Sequence, residues 1–104
     1  MRKFLTAALV LASTAAHAQS LPGNVSSGSN LALRICSDCH VVAETQRRPA
    51  TDGAPPFAAV ANRPGTTPLS LQVFLRTPHR NMPNLILTPA ETDDIVAYIL
   101  SLKR

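Results

Sequence analysis

Both cysteines of this 104-residue chain lie within the five residues Cys36-Ser37-Asp38-Cys39-His40. The spacing C-x-x-C-H is the attachment signal for a c-type haem. On a helix, positions i, i+3 and i+4 share one face. Cys36, Cys39 and His40 are therefore expected to point at the same object. The two sulfurs can form thioethers with the two vinyl groups of a porphyrin, and the His40 imidazole can then reach the iron as proximal ligand.

Blander uses of the same residues fit less well. A thioredoxin-like redox pair normally sits in a βαβ pattern, and the sequence shows none. A zinc site would need a further ligand, and there is no second cysteine pair. A plain disulfide would leave the adjacent His40 without a reason. Covalent haem attachment is the reading that uses all three side chains.

A haem iron bound by His40 has a second axial position. Met82, in Asn81-Met82-Pro83, is the only methionine besides Met1. A thioether suits haem iron, and His/Met ligation raises the reduction potential. Pro83 would stiffen the loop that presents the sulfur. The competitors are a Met82 that simply fills a core gap and a bis-His haem of lower potential ligated by His79.

The elements that must position these residues read as helices. The expected order is a helix from about Gly28 to Asp38, capped by Ser26 or Ser27, then a loop from Val41 to about Thr66 with a single helical turn over Ala58 to Asn62. Thr67-Pro68 can open the next helix, which ends before Pro78. Leu69, Leu71, Val73 and Leu75 also alternate as a strand would. The flanking prolines and the lack of a partner strand favour helix. Thr88 to Glu91 reads as a capping box with Pro89 at the first helical position. Asp93 and Asp94 then lie near the positive helix end, and Lys103 and Arg104 near the negative end. Ile95, Tyr98, Ile99 and Leu102 form one apolar stripe, which gives Tyr98 a packing role.

The N-terminus adds a compartment. Arg2 and Lys3, the apolar run Phe4 to Ala12, and Ala16-His17-Ala18 together read as a secretory signal cleaved after Ala18. The run is too short for a comfortable membrane span, so no stable membrane insertion is expected after cleavage. An uncleaved membrane anchor is the other possibility. Domain organisation follows as residues 1–18 signal peptide, 19–27 flexible lead-in and 28–104 a single domain. So small a domain has a thin core, and a buried haem can serve as part of it.

Arg2 and Lys3 supply two of the formal +4 charges, and two haem propionates would offset the rest. The working protein is then closer to neutral than its sequence pI of 9.8 suggests. Few aromatics and short basic runs exclude a nucleic-acid signature. Arg47-Arg48 reads as a solvated loop. Arg76 and Arg80 flank the distal ligand and are a better docking rim.

With C-x-x-C-H, Met82-Pro83 and Asp94-Ile95-Val96-Ala97-Tyr98-Ile99 in this order, the chain from Gly28 to Lys103 resembles a small class I, mono-haem cytochrome c of bacterial periplasmic type. The resemblance implies an all-α fold of three or more helices and loops wrapped around one covalently bound haem c. It implies that Gly28 sits where the first and last helices cross, with Tyr98 packing there. The family often has an aromatic four residues before the first cysteine; here Ala32 stands in that place, and Leu31 or Leu33 is expected to fill the gap. Ala54-Pro55-Pro56-Phe57 resembles the family segment whose proline carbonyl accepts a hydrogen bond from the proximal histidine. Pro55 is the best match and Pro56 the fallback, with Phe57 packing on the haem. Arg63 is either a propionate partner or a solvated cation.

The function these readings imply is a periplasmic one-electron carrier. It would be a monomer that docks transiently with a redox donor and acceptor, and not itself an enzyme. The alternatives are a haem-bearing subunit of a periplasmic dehydrogenase or oxidase, which should carry a persistent apolar face, and an open-iron haem sensor.

Overall fold

The computed structural model describes residues 20–46, 53–78 and 81–104. The expected signal peptide, Arg47, Arg48, His79 and Arg80 lie outside the described residues. The described chain holds four helices, α1 (Val25–Ile35), α2 (Phe57–Ala61), α3 (Pro68–Arg76) and α4 (Pro89–Ser101). No strand occurs among the described residues, so the all-α expectation holds.

Helix α1 starts earlier and stops earlier than expected. Its N-cap is Asn24, not Ser26 or Ser27: the Asn24 side chain accepts the Ser27 N–H at 2.9 Å. Asn24 is selected because its own N–H donates to Asp94 Oδ1 at 2.7 Å, which fixes the entry to the helix against α4. The segment read as a loose lead-in is therefore partly ordered. Helix α1 ends at Ile35: the Ala32 carbonyl takes the ordinary helical bond from the Cys36 N–H at 2.9 Å and, in addition, the Ser37 N–H at 3.1 Å, one residue beyond the helical spacing. The Ser37 hydroxyl donates to the Leu33 carbonyl, at 2.6 Å. These bonds satisfy carbonyls that a longer helix would have used.

Helix α1 packs chiefly on α4. The crossing depends on Gly28: a Cβ there would lie 1.9 Å from the Asp94 carbonyl oxygen and 2.8 Å from Tyr98 Cβ. Only glycine allows the two backbones so close. Around the crossing, Leu31, Ala32, Ile95, Val96, Tyr98 and Ile99 form the core with Val42, Phe57, Ala61 and Leu71. Ala32 is fully buried, and Leu31 beside it is buried in the same core. Leu33 is 45% exposed.

Helix α3 resolves the strand-like alternation. Leu71 is buried and Leu75 packs partly against the core, four residues apart, while Leu69 and Val73 face outward. A strand would have put all four on one side. Thr67 caps α3 with a reciprocal pair to Ser70, and Thr88 caps α4 with a reciprocal pair to Glu91. Glu91 is the first-turn acid of α4. Asp93 and Asp94 instead hold neighbouring segments: Asp93 Oδ1 accepts from Gln72 Nε2 at 2.8 Å and Asp94 takes the Asn24 N–H. At the other end Arg104 lies past the helix, where it pairs with Glu44 and donates its backbone N–H to Asn62 Oδ1 at 3.0 Å.

Because the obstacle at Gly28 is backbone, Gly28→Ala has nowhere to relax. It should destabilise the folded protein by about 2–3 kcal/mol, read from urea denaturation. A wild-type midpoint in Gly28→Ala would mean that α1 and α4 do not cross as described.

Candidate haem site

The C-x-x-C-H residues form a turn that leaves the end of α1. The Cys36 carbonyl accepts the Cys39 N–H at 3.2 Å and the His40 N–H at 2.9 Å. The i to i+4 bond keeps the helical spacing of Cys36 and His40 although α1 has already ended. Cys36 and Cys39 are not joined by a disulfide. Burial pushes the Cys36 thiol up to about 11. Desolvation penalises the thiolate there, which favours the protonated sulfur. Among the described residues no three His, Cys, Asp or Glu side chains converge as metal ligands.

His40 is held at both ends. Its Nδ1 lies 2.7 Å from the Pro55 carbonyl. A carbonyl only accepts, so Nδ1 carries a proton, and in the neutral ring Nε2 then keeps its lone pair. Pro55 is followed by Pro56, which has no N–H, and Pro56 serves as the extended N-cap of α2. The Pro55 carbonyl is thus placed for His40. The His40 ring packs on Phe57, with centroids 5.3 Å apart, and Phe57 packs on Tyr98 at 6.3 Å. The Phe57 N–H donates to the Val41 carbonyl at 3.0 Å, tying the start of α2 to the residue after His40. The Tyr98 hydroxyl donates to the Val42 carbonyl, so α4 reaches the same segment.

Gln46 was not singled out by sequence reasoning. Its Oε1 accepts the Val42 N–H at 2.8 Å, and its Nε2 donates to the Ser37 and His40 carbonyls, both at 3.1 Å. No spacing rule marks a glutamine six residues past a histidine, and the bonds depend on the turn already being folded.

Met82 lies half-buried in the loop between α3 and α4, just after Asn81, whose φ of 62° marks a left-handed turn. The same part of the chain leaves large apolar side chains uncovered: Phe74 is 51% and Ile86 is 99% exposed. Arg63 is exposed in the turn after α2, and Arg76 is exposed at the end of α3. The residues present fit a haem: two thiols not bonded to each other, beside an imidazole oriented by the Pro55 carbonyl.

The Cytochrome c family pattern matches residues 25–103. The chain belongs to the cytochrome c family. It is also 42% identical to the protein named Cytochrome c-552 of Bradyrhizobium diazoefficiens over 95 residues, covering 91% of this chain and 90% of that one. No solved structure matches it significantly. Membership makes this chain an electron-transfer protein with covalently bound haem c and redox partners. No described helix is long and apolar enough to cross a membrane.

Tyr98→Phe should leave the Val42 carbonyl without its side-chain donor. The expected loss is about 1–2 kcal/mol in urea denaturation, with haem content unchanged. An unaltered stability would show that the link from α4 to the segment after His40 carries no weight.

Proposed function

We propose that this cytochrome c is a periplasmic one-electron carrier with His40 and Met82 as axial ligands. The observation that carries the reading is the His40 Nδ1 to Pro55 hydrogen bond, which reserves Nε2 for iron beside Cys36 and Cys39. Bound haem would supply an iron that exchanges one electron between two oxidation states. The chain's own residues anchor it and orient its ligand. Cys36 and Cys39 fix the porphyrin edge, and the Pro55 carbonyl sets the plane and basicity of the His40 ring. Phe57 packs against that ring. Met82 is supported by its chemistry and by its place in a turn closed by Pro83. Arg63 is proposed as a propionate partner on its charge and position alone, and Arg76 as part of the docking rim.

Export supports the same reading. Residues 1–18 would be removed and residues 28–104 would form the working domain, attached to its haem outside the cytoplasm. With both axial positions filled by the chain, partners dock at the haem edge and little moves.

A second reading, a subunit bound to a periplasmic dehydrogenase or oxidase, is favoured by one observation. Leu69 and Val73 are 70% and 56% exposed on the side of α3 turned away from buried Leu71. Co-elution of the natively expressed protein with a larger partner in size exclusion would establish it; elution as a small free protein would sink it.

Met82→Ala should lower the reduction potential and let carbon monoxide bind the reduced protein at neutral pH without denaturant. An unchanged spectrum and potential would remove Met82 from the iron. Cys36→Ala or Cys39→Ala should impair haem retention through acetone–acid extraction, and full retention in both would contradict thioether attachment.

A further inference from the structure

We infer that Gln46 is a positioning residue for the proximal histidine, an inference that rests on the haem reading above. The side-chain amide makes three hydrogen bonds to described residues, and their polarity allows one orientation only. The Val42 N–H must meet Oε1, and the Ser37 and His40 carbonyls must meet Nε2. Two of these partners belong to the C-x-x-C-H turn itself.

The effect of the clamp follows from what its partners do next. Val42 is held at its N–H by Gln46 and at its carbonyl by the Tyr98 hydroxyl. The neighbouring Val41 carbonyl takes the Phe57 N–H, two residues after Pro55. His40 therefore has its carbonyl held by Gln46, its N–H held by Cys36 and its ring held by Pro55. Without the amide, the His40 carbonyl is free to rotate. The ring then loses its fixed approach to the Pro55 carbonyl, and with it the bond that sets ligand basicity. A backbone carbonyl cannot be deleted by mutation, so Gln46 is the side chain through which this geometry is adjustable. Gln46 reaches His40 at its backbone carbonyl, so it acts through the backbone of His40.

The test uses the haem-loaded full protein. Gln46→Glu is isosteric and keeps the acceptor for Val42, but loses both donors and turns an oxygen toward two carbonyls. Gln46→Met keeps the length and removes all three bonds. Hydrogen exchange at His40 Nδ1–H is measured by NMR relative to the Ile99 amide, which reports opening of the core. The expected result is a tenfold or greater rise in that ratio in both variants, with shifted hyperfine resonances of the His40 ring. An unchanged ratio, with both protons exchanging faster together, makes Gln46 merely structural and overturns the inference. Loss of the fold in both variants does the same. A wild-type protein without covalent haem instead overturns the functional reading, and this inference falls with it.

Discussion

The close approach of α1 and α4 at Gly28 is the constraint on which the rest depends. Asp94 and Tyr98, the residues a side chain at Gly28 would strike, are also the residues that reach away from the crossing. Asp94 holds the Asn24 N–H and so sets where α1 begins. Tyr98 holds the Val42 carbonyl, two residues past His40. One backbone contact thus fixes the origin of α1 and the segment that follows the C-x-x-C-H turn. Distance between α1 and α4 is converted into the position of the turn through hydrogen bonds rather than through a large core.

The core itself is thin. Its fully buried large side chains are few, and α3 keeps Leu69, Val73 and Phe74 largely exposed. A domain of this size gains little from apolar burial alone. A covalently held cofactor compensates in two ways: it adds apolar surface to pack against, and it ties the end of α1 to one rigid object. The arrangement around His40 follows the same economy. The ring is oriented by a backbone carbonyl, packed by Phe57, and its backbone is clamped by Gln46.

Much of this was legible in the sequence where a local rule applied. The C-x-x-C-H spacing needs no tertiary context, and Thr88-Pro89 with Glu91 marked the start of α4 to the residue. Gly28 and Pro55 were placed through the family resemblance, because nothing local distinguishes a glycine at a crossing from one in a turn. The boundaries of α1 were not legible. Asn24, Ser26 and Ser27 are all competent caps, and the choice among them is made by Asp94, seventy residues away. No glycine or proline announces the stop at Ile35; the Ser37 hydroxyl and shared Ala32 carbonyl make it. Gln46 was invisible for the same reason, since its role exists only once three separate peptides have been brought together.

Absorption spectra of the purified protein, oxidised and then reduced, test most directly whether His40 and Met82 hold a covalent haem. The expected result is low-spin c-type bands together with the weak far-red band of sulfur bound to ferric iron. Low-spin bands without the far-red feature would move the distal ligand to His79 and contradict Met82 ligation. A protein that carries no haem after expression with a working maturation system would contradict the reading of Cys36, Cys39 and His40 from which everything else follows.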